Sequence, residues 1–255
     1  QKLKRAAPWL FLLLVLAGLA AVRGLAANYE IGYEIMNGDF QNYNPVRHLL
    51  AGQVPYRDFT VYLGAGELYS VGGLLLVLGN SFGRSMFATN FCTWFYFELL
   101  VLAVCLVVIG TARAARAAAL ALCSVFFAYV QGANLPFAGQ VNTLLSYAAA
   151  NGNSARMMRS AALTLAVLVI LLGLHFWQQD TSRRLLAPAV LVPFAAGLFV
   201  PWSNDMGGAA YISIALGYGL YLIRLYRSSI GKIVVQTLRY IVALSLIHIS
   251  EPTRH

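Results

Sequence analysis

The chain has 255 residues, of which 60% are hydrophobic and 11% are charged. A soluble domain carries about 25% charged residues, so this composition excludes a water-soluble globule and a disordered chain. Three cysteines are too few for a secreted disulfide scaffold. The composition therefore predicts a polytopic, all-α membrane protein. Its net charge of +9 indicates cytoplasmic loops and contact with lipid headgroups rather than with nucleic acid.

The first predicted element is a membrane span over Ala6–Ala27. Lys2, Lys4 and Arg5 precede it, and such a basic flank places the N-terminus in the cytoplasm. A signal peptide ending at Ala27 is the alternative. We favour the span because the apolar run is longer than the roughly 7–15 residues of a signal peptide's core.

A long polar loop, Asn28–Tyr62, follows this span. Together with Glu67 just beyond it, the loop holds five of the nine acidic residues of the chain. Long loops between apolar runs are places where binding and catalytic residues concentrate. Within the loop, Pro45–Gly52 predicts a short amphipathic helix closed by glycine.

The rest of the chain is a series of apolar runs. Glu67–Leu78 is too short to span comfortably and predicts a helix lying at the membrane interface. Further spans are predicted over Met86–Ile109, Ala117–Ala133, Ala161–Trp177, Leu185–Trp202, Gly207–Ile223 and, at the end, Ile233–Ala243.

Asn134–Ala150 is ambiguous between a span and a re-entrant segment. If it does not cross the membrane, fewer basic residues violate the positive-inside rule, and we favour that topology. Arg156 and Arg159 then lie outside, where a bound anionic headgroup would explain them. The same topology places Pro201–Gly207 on the outer face with the acidic loop.

The last residues form a separate case. Leu244–Arg254 reads LSLIHISEPTR and resembles the in-frame translation of a transposase-type sequencing-library adapter. We expect Leu244–His255 to be an artefactual tail, with the native gene interrupted near Ala243; a genuine short tail is the alternative.

The loop segment from Asn37 to Phe59 carries a family resemblance. An acid, Asp39, follows the first span; a short helix with Arg47 and His48 ends at Gly52; and a Pro55-Tyr56 pair precedes Asp58. After the interfacial helix comes LVLGNSFGR, Leu76–Arg84. This pattern resembles the C-type (GT-C fold) membrane glycosyltransferases, such as protein mannosyltransferases and lipid A aminoarabinose transferases. The resemblance covers Ala6–Arg116 and implies the N-terminal part of a GT-C-like helix bundle.

The resemblance implies sugar transfer, with inversion, from a polyprenyl-phosphate donor to an extracytoplasmic lipid, glycan or protein acceptor. Asp39 would be the general base that deprotonates the acceptor. The predicted phosphate ligands are Arg47, Arg57, Arg156 and Arg159, and the further substrate-binding candidates are His48, Asp58 and Asp205. The expected location is the bacterial inner membrane, with the site on the outer side. No cofactor is assigned, and a divalent metal stays open, because Phe40 replaces the second acid that many members carry beside the first.

Each of these residues also has a structural alternative. Asp39 fits a helix N-cap or a turn, and Asp205 fits a capping turn. Arg47 and His48 fit a solvated helix face, and Asp58 fits an ion pair that fixes the loop.

A transporter or lipid flippase is the alternative function. Glu98 lies near the middle of a predicted span, where a carboxyl is costly and points to function or to a hydrogen bond with a neighbouring helix. Pro188 and Pro193 interrupt another span, as in transporters. The long acidic loop favours the enzyme, because a transporter does not need one.

Overall fold

The computed structural model describes residues 2–29, 37–129, 155–179, 186–227 and 229–250. In these ranges the chain is mainly helical and contains no β-strand. The first helices are α1, Lys2–Tyr29; α2, Asn37–Leu50; α3, Ala65–Leu78; and α4, Phe82–Ile109. A short 3₁₀ helix, Thr111–Arg113, leads into α5, Ala114–Tyr129. The later helices are α6, Ala155–Gln179; α7, Leu186–Gly197; α8, Phe199–Trp202; α9, Gly207–Leu225; and α10, Ile230–Ser250.

Three helices of the described ranges are long and apolar enough to cross a membrane. Their candidate spans are Ala7–Leu25, Phe82–Ile109 and Gly207–Leu225. The prediction of an all-α protein with membrane helices is therefore confirmed at this level. The described parts of the predicted spans in α5, α6 and α7–α8 are helical, but their apolar segments are shorter: Ala114–Phe126, Met158–Leu174 and Val192–Trp202. The ambiguous segment 134–150 lies outside the described residues.

The described residues fall into two compact units, 1–61 with 65–162 and 62–64 with 163–255. In the first unit α4 is the central helix, and α1 runs antiparallel to it. Gly24 of α1 lies against Phe87 near the start of α4, and the Arg23 guanidinium lies 5.2 Å from the centre of the Trp94 ring. Leu16, deeper in α1, shares a buried cluster with Leu102 of α4, to which α5 also contributes.

The N-terminal half of α4 packs against α2 and α3 instead. Leu68, Val71 and Leu75 of α3 share a buried cluster with Val46 of α2 and Cys92 of α4. A tight turn joins α3 to α4, and the Ser70 hydroxyl lies 3.0 Å from the Tyr96 hydroxyl, so the two helices form an antiparallel hairpin. Ser81 caps α4, its hydroxyl accepting a hydrogen bond from the Arg84 N–H.

In the second unit, α9 and α10 pack against each other and against α7. The rings of Tyr218 in α9 and Tyr240 in α10 stack with centroids 5.2 Å apart. Ile214 and Leu222 of α9 are buried in the same cluster. This unit therefore has its own apolar core.

Two helices differ from the sequence prediction. The short loop helix begins at Asn37 rather than at Pro45, which lies inside α2. The predicted span 185–202 is divided at Leu198 into α7 and the single-turn helix α8. The expected tail is described only up to Ser250, where it continues α10.

Candidate functional site

Asp39, the predicted general base, lies in the first turn of α2; its side chain is outside the described residues. The helix that carries it runs antiparallel to α3. The Tyr43 hydroxyl donates a 2.9 Å hydrogen bond to Oδ1 of Asn80, just beyond the end of α3. Further along α2, Val46 and Leu49 lie against Gly72 in the middle of α3. The Asp39 end of α2 therefore lies at the turn between α3 and α4.

Tyr43, Asn80 and Arg84 lie towards this end, and Arg47, from the last turn of α2, extends its side chain to Tyr43. We call these four residues the Tyr43 cluster. The Arg47 guanidinium lies over the Tyr43 ring at 5.9 Å from its centroid. The Arg84 guanidinium lies against Gly79, the residue before Asn80. Both arginines are exposed. Because Asp39, Tyr43 and Arg47 are spaced four residues apart, they share one face of α2.

His48 lies near the other end of α2, where the helix terminates. Its ring stacks on Phe59 with centroids 5.2 Å apart, and its Nδ1 is hydrogen-bonded to the Gln53 side chain. The chain turns at Gly52, whose φ of +82° is readily accessible only to glycine. His48 thus makes contacts that hold this turn, and its predicted role in substrate binding stays a prediction.

Asp58 and Arg57 form an ion pair at the next turn, with 2.9 Å between Arg57 Nε and Asp58 Oδ1. The Val54 N–H donates a 2.7 Å hydrogen bond to Oδ2 of Asp58. The hydrogen bond from Arg57 has the largest effect on the pKa of Asp58. Together with the hydrogen bond from Val54, it lowers that pKa to about 2. The contacts are those of a loop-fixing acid, the structural alternative for Asp58. Binding roles for Asp58 and Arg57 stay predictions.

Arg159, in α6, is buried beside Glu67, which lies in the first turn of α3. Neither carboxylate oxygen of Glu67 accepts a hydrogen bond from any described residue. Burial raises the pKa of Glu67 to about 7, and the positive charge of Arg159 opposes that shift. From Asn80 to Glu67 the chain advances roughly 20 Å along the axis of α3. The structure therefore does not bring Arg159 to the Asp39 end of α2.

Two other predicted ligands lie elsewhere. Arg156 lies in the first turn of α6, and its side chain is outside the described residues. Asp205 belongs to the second unit, where its Oδ1 accepts hydrogen bonds from the Ser203 hydroxyl at 2.7 Å and the Met206 N–H at 2.9 Å. Asp205 thus orders the turn before α9, as its structural alternative predicts. Among the side chains that the structure describes, no group of three His, Cys, Asp or Glu could bind a metal ion.

Glu98, the acid predicted to lie within a span, is completely buried in α4. Leu16 and Ala20 of α1 pack at the levels of Leu102 and Trp94 of α4, which bracket it. Glu98 therefore belongs to the helix interface rather than to the loop site.

Comparisons of the chain with protein-family models, with curated proteins and with solved structures found no match. The candidate site therefore depends on the chain's own residues.

The sequence analysis missed three polar residues: Glu67, Asn42 and Arg84. Glu67 counted only as one acid of the polar region, because an acid in the first turn of a helix usually faces solvent and stabilises the helix dipole. Asn42 lies in a stretch read as loop, and its burial follows only from the earlier start of α2. Arg84 was noted within the family pattern, but its proximity to the end of α2 is a tertiary relationship.

Proposed function

We propose that this protein is a multi-pass membrane glycosyltransferase of the GT-C type, which moves a sugar from a polyprenyl-phosphate donor to an extracytoplasmic acceptor. The observation that carries the proposal is the position of Asp39. It lies in the loop that follows the candidate span Ala7–Leu25, in the first turn of a short helix. Tyr43 and Arg84 lie towards the same end, and the Arg47 side chain extends to Tyr43 from the last turn of α2.

The chemistry needs a base and a cationic site close together. The Asp39 carboxylate takes the proton of the acceptor hydroxyl, and the acceptor oxygen attacks the anomeric carbon from the face opposite the phosphate. The bond from the anomeric carbon to the phosphate oxygen breaks, which inverts the configuration and leaves the carrier with its phosphate. Arg47 and Arg84 supply positive charge for that leaving phosphate. In this proposal Arg84 takes the role that the sequence gave to Arg159.

The site must lie at a membrane surface, because the carrier's prenyl chain stays in the bilayer. In the proposal this surface is the outer face of a bacterial inner membrane. The exposed apolar residues at the end of α3, Leu76 and Val77, would then face lipid beside the site.

The test is sugar transfer by the full-length protein with Asp39→Asn. The probes are short-chain polyprenyl phosphates carrying mannose, glucose or aminoarabinose, supplied to membranes that contain the native acceptors. The readout is label incorporated into acceptor. Loss of a base typically costs about 10²–10⁴-fold in rate. Glu30→Gln, which removes another carboxyl of the same loop, is the control and should transfer normally. Unchanged transfer by Asp39→Asn would refute the role of Asp39.

A transporter or flippase is the second candidate, favoured by one observation. Glu98 is buried halfway along α4, where ionisable groups often serve transport. Glu98→Gln separates the two functions. A transporter would lose substrate flux in proteoliposomes, whereas the glycosyltransferase would keep the rate of transfer that it shows with Glu98.

A further inference from the structure

Asn42 occupies a position in α2 that an apolar residue would normally fill. Asn42, Val46 and Leu49 follow the spacing that places side chains on one face of a helix. Val46 and Leu49 of this face pack against Gly72 of α3. Asn42 is only 6% exposed. It is the one member of this three-residue stripe that is polar.

The amide of Asn42 is buried without a hydrogen-bond partner in the part of the chain that the structure describes. Neither Oδ1 nor Nδ2 has a partner among the described residues. A buried polar group without a partner costs free energy of folding, which a leucine at the same place would not cost. A buried polar residue that weakens the fold and forms no hydrogen bond among the described residues is a candidate for a binding role.

The chemistry of a carboxamide restricts the ligand. It offers two N–H donors and a carbonyl acceptor, with no net charge. A hydroxyl group, which both donates and accepts, matches this pair of atoms. A phosphate would use only the N–H donors and a cation only the carbonyl oxygen, whereas a hydroxyl satisfies both kinds of atom.

The location of Asn42 identifies which hydroxyl it would meet. Asn42 follows Asp39 by three residues, so the two lie one turn apart on neighbouring positions of the same helix face. Its neighbour Tyr43 belongs to the cluster in which Arg47 and Arg84 lie. A carrier phosphate held by these arginines places the attached donor sugar beside the same end of α2.

We propose that Asn42 is a specificity-determining residue whose amide binds one hydroxyl of the donor sugar beside Asp39. This inference rests on the proposed function and adds a residue and a ligand group to it. Because the amide is buried, binding requires the first turn of α2 to shift when the donor arrives.

The experiment compares the wild-type protein with Asn42→Leu and Asn42→Ser. The donors are polyprenyl phosphates carrying mannose, glucose or aminoarabinose, together with the monodeoxy analogues of whichever is transferred. In the wild type, one deoxy analogue should show a KM raised about tenfold, the loss of one neutral hydrogen bond. In Asn42→Leu, the parent donor should show that same raised KM, and the analogue should show no further loss. Asn42→Ser should restore part of the discrimination.

The unfolding temperature in detergent separates a binding role from a purely structural one. If Asn42 only stabilised the fold, its replacement by leucine would lower that temperature. Asn42→Leu completes the apolar stripe and should unfold at a higher temperature than the wild type. A lower unfolding temperature, a wild-type KM, or full discrimination by Asn42→Leu would each overturn the inference. If Asp39→Asn abolishes transfer while Asn42→Leu behaves as the wild type, only the role of Asn42 fails. A wild-type protein that neither transfers nor is thermally stabilised by any of the donors overturns this inference together with the proposed function.

Discussion

Glu67 and Arg159 are both buried, and the carboxyl of Glu67 lies within electrostatic reach of the Arg159 guanidinium. The attraction does not outweigh the loss of solvation, because the pKa of Glu67 is raised to about 7 rather than lowered. A buried carboxylate without hydrogen-bond donors is costly even beside a positive charge. The pair therefore makes the start of α3 sensitive to pH.

The pH dependence of stability follows from this shift. Since the folded pKa of Glu67 lies above its ordinary value of 4.5, its contribution is fully present below pH 4.5 and is lost as the pH rises through 7. The loss amounts to roughly 3.5 kcal/mol, because the pKa rises from 4.5 to about 7 and each pKa unit corresponds to about 1.4 kcal/mol. Thermal unfolding in detergent, measured from about pH 5 to about pH 9, should show this decline. Glu67→Gln should lack it and should be the more stable protein at high pH. Parallel profiles for the two proteins would contradict the burial of Glu67.

Asp58 has the opposite shift and a local role. Its pKa of about 2 means that the ionised form is favoured by its hydrogen bonds, so its contribution is present above pH 3.8 and is lost as the pH falls through 2. Asp58→Ala removes the acceptor for the Val54 N–H and the partner of Arg57. We expect faster amide hydrogen exchange in the turn 54–59, with global stability nearly unchanged because the ion pair is exposed. Exchange measured by mass spectrometry checks this, with Thr60→Ala as the control. Unchanged exchange at Val54 would contradict the loop-fixing role.

Gly64 lies in close backbone packing in the second unit. Its φ is +107°, and a Cβ placed there would lie 2.5 Å from the Trp202 carbonyl oxygen. Gly64→Ala should therefore destabilise the protein by roughly 3 kcal/mol or more, through backbone strain and a clash. Gly52→Ala has the positive φ without a neighbour within 4 Å, and Gly73→Ala has open space within α3. We expect Gly52→Ala to lose about 1 kcal/mol and Gly73→Ala to gain about 0.5–1 kcal/mol. Urea unfolding would rank the three, and any other order would contradict this packing.

The helices could be predicted largely from apolar runs, and the reason is visible in α4. Its run of apolar residues is long enough to cross a membrane without help from tertiary contacts. The start of α2 could not be predicted in this way. Residues 37–44 are mostly polar and rich in weak helix formers. They are helical in a segment where Asn42 is buried and Tyr43 bonds to Asn80.

The candidate site was predictable only where residues are close in sequence. Asp39 and Arg47 share a face of α2, and this follows from helical spacing. By contrast, Arg159 was assigned to the same site as Asp39 from its charge and its predicted side of the membrane. The structure places Arg159 beside Glu67, at the far end of α3. Which arginine meets which acid depends on helix packing, and no local pattern in the sequence encodes that.

The membrane topology can be tested at Asp39 itself. Asp39→Cys, in a protein whose native Cys92, Cys105 and Cys123 are replaced by serine or alanine, should react with a membrane-impermeant maleimide added to intact spheroplasts. Gln53→Cys, at an exposed position of the same loop, should react in the same way. With the N-terminus in the cytoplasm, α1 crosses outward and α4 crosses back, so Arg113→Cys in the turn after α4 should react only after the membrane is permeabilised.

This labelling pattern decides the proposed function because the carrier phosphate and the acceptor are both expected on the outer side. If Asp39→Cys and Gln53→Cys react only after permeabilisation, the loop faces the cytoplasm and an extracytoplasmic transferase is excluded. If Gln53→Cys reacts from outside but Asp39→Cys does not, the loop is on the correct side while Asp39 is shielded from water. Labelling of Asp39→Cys should then be repeated after polyprenyl phosphate is added. If position 39 serves this carrier, the cysteine placed there must react more slowly with maleimide when the lipid occupies the site, or faster if the first turn of α2 opens. No change in either arrangement would remove Asp39 from the mechanism.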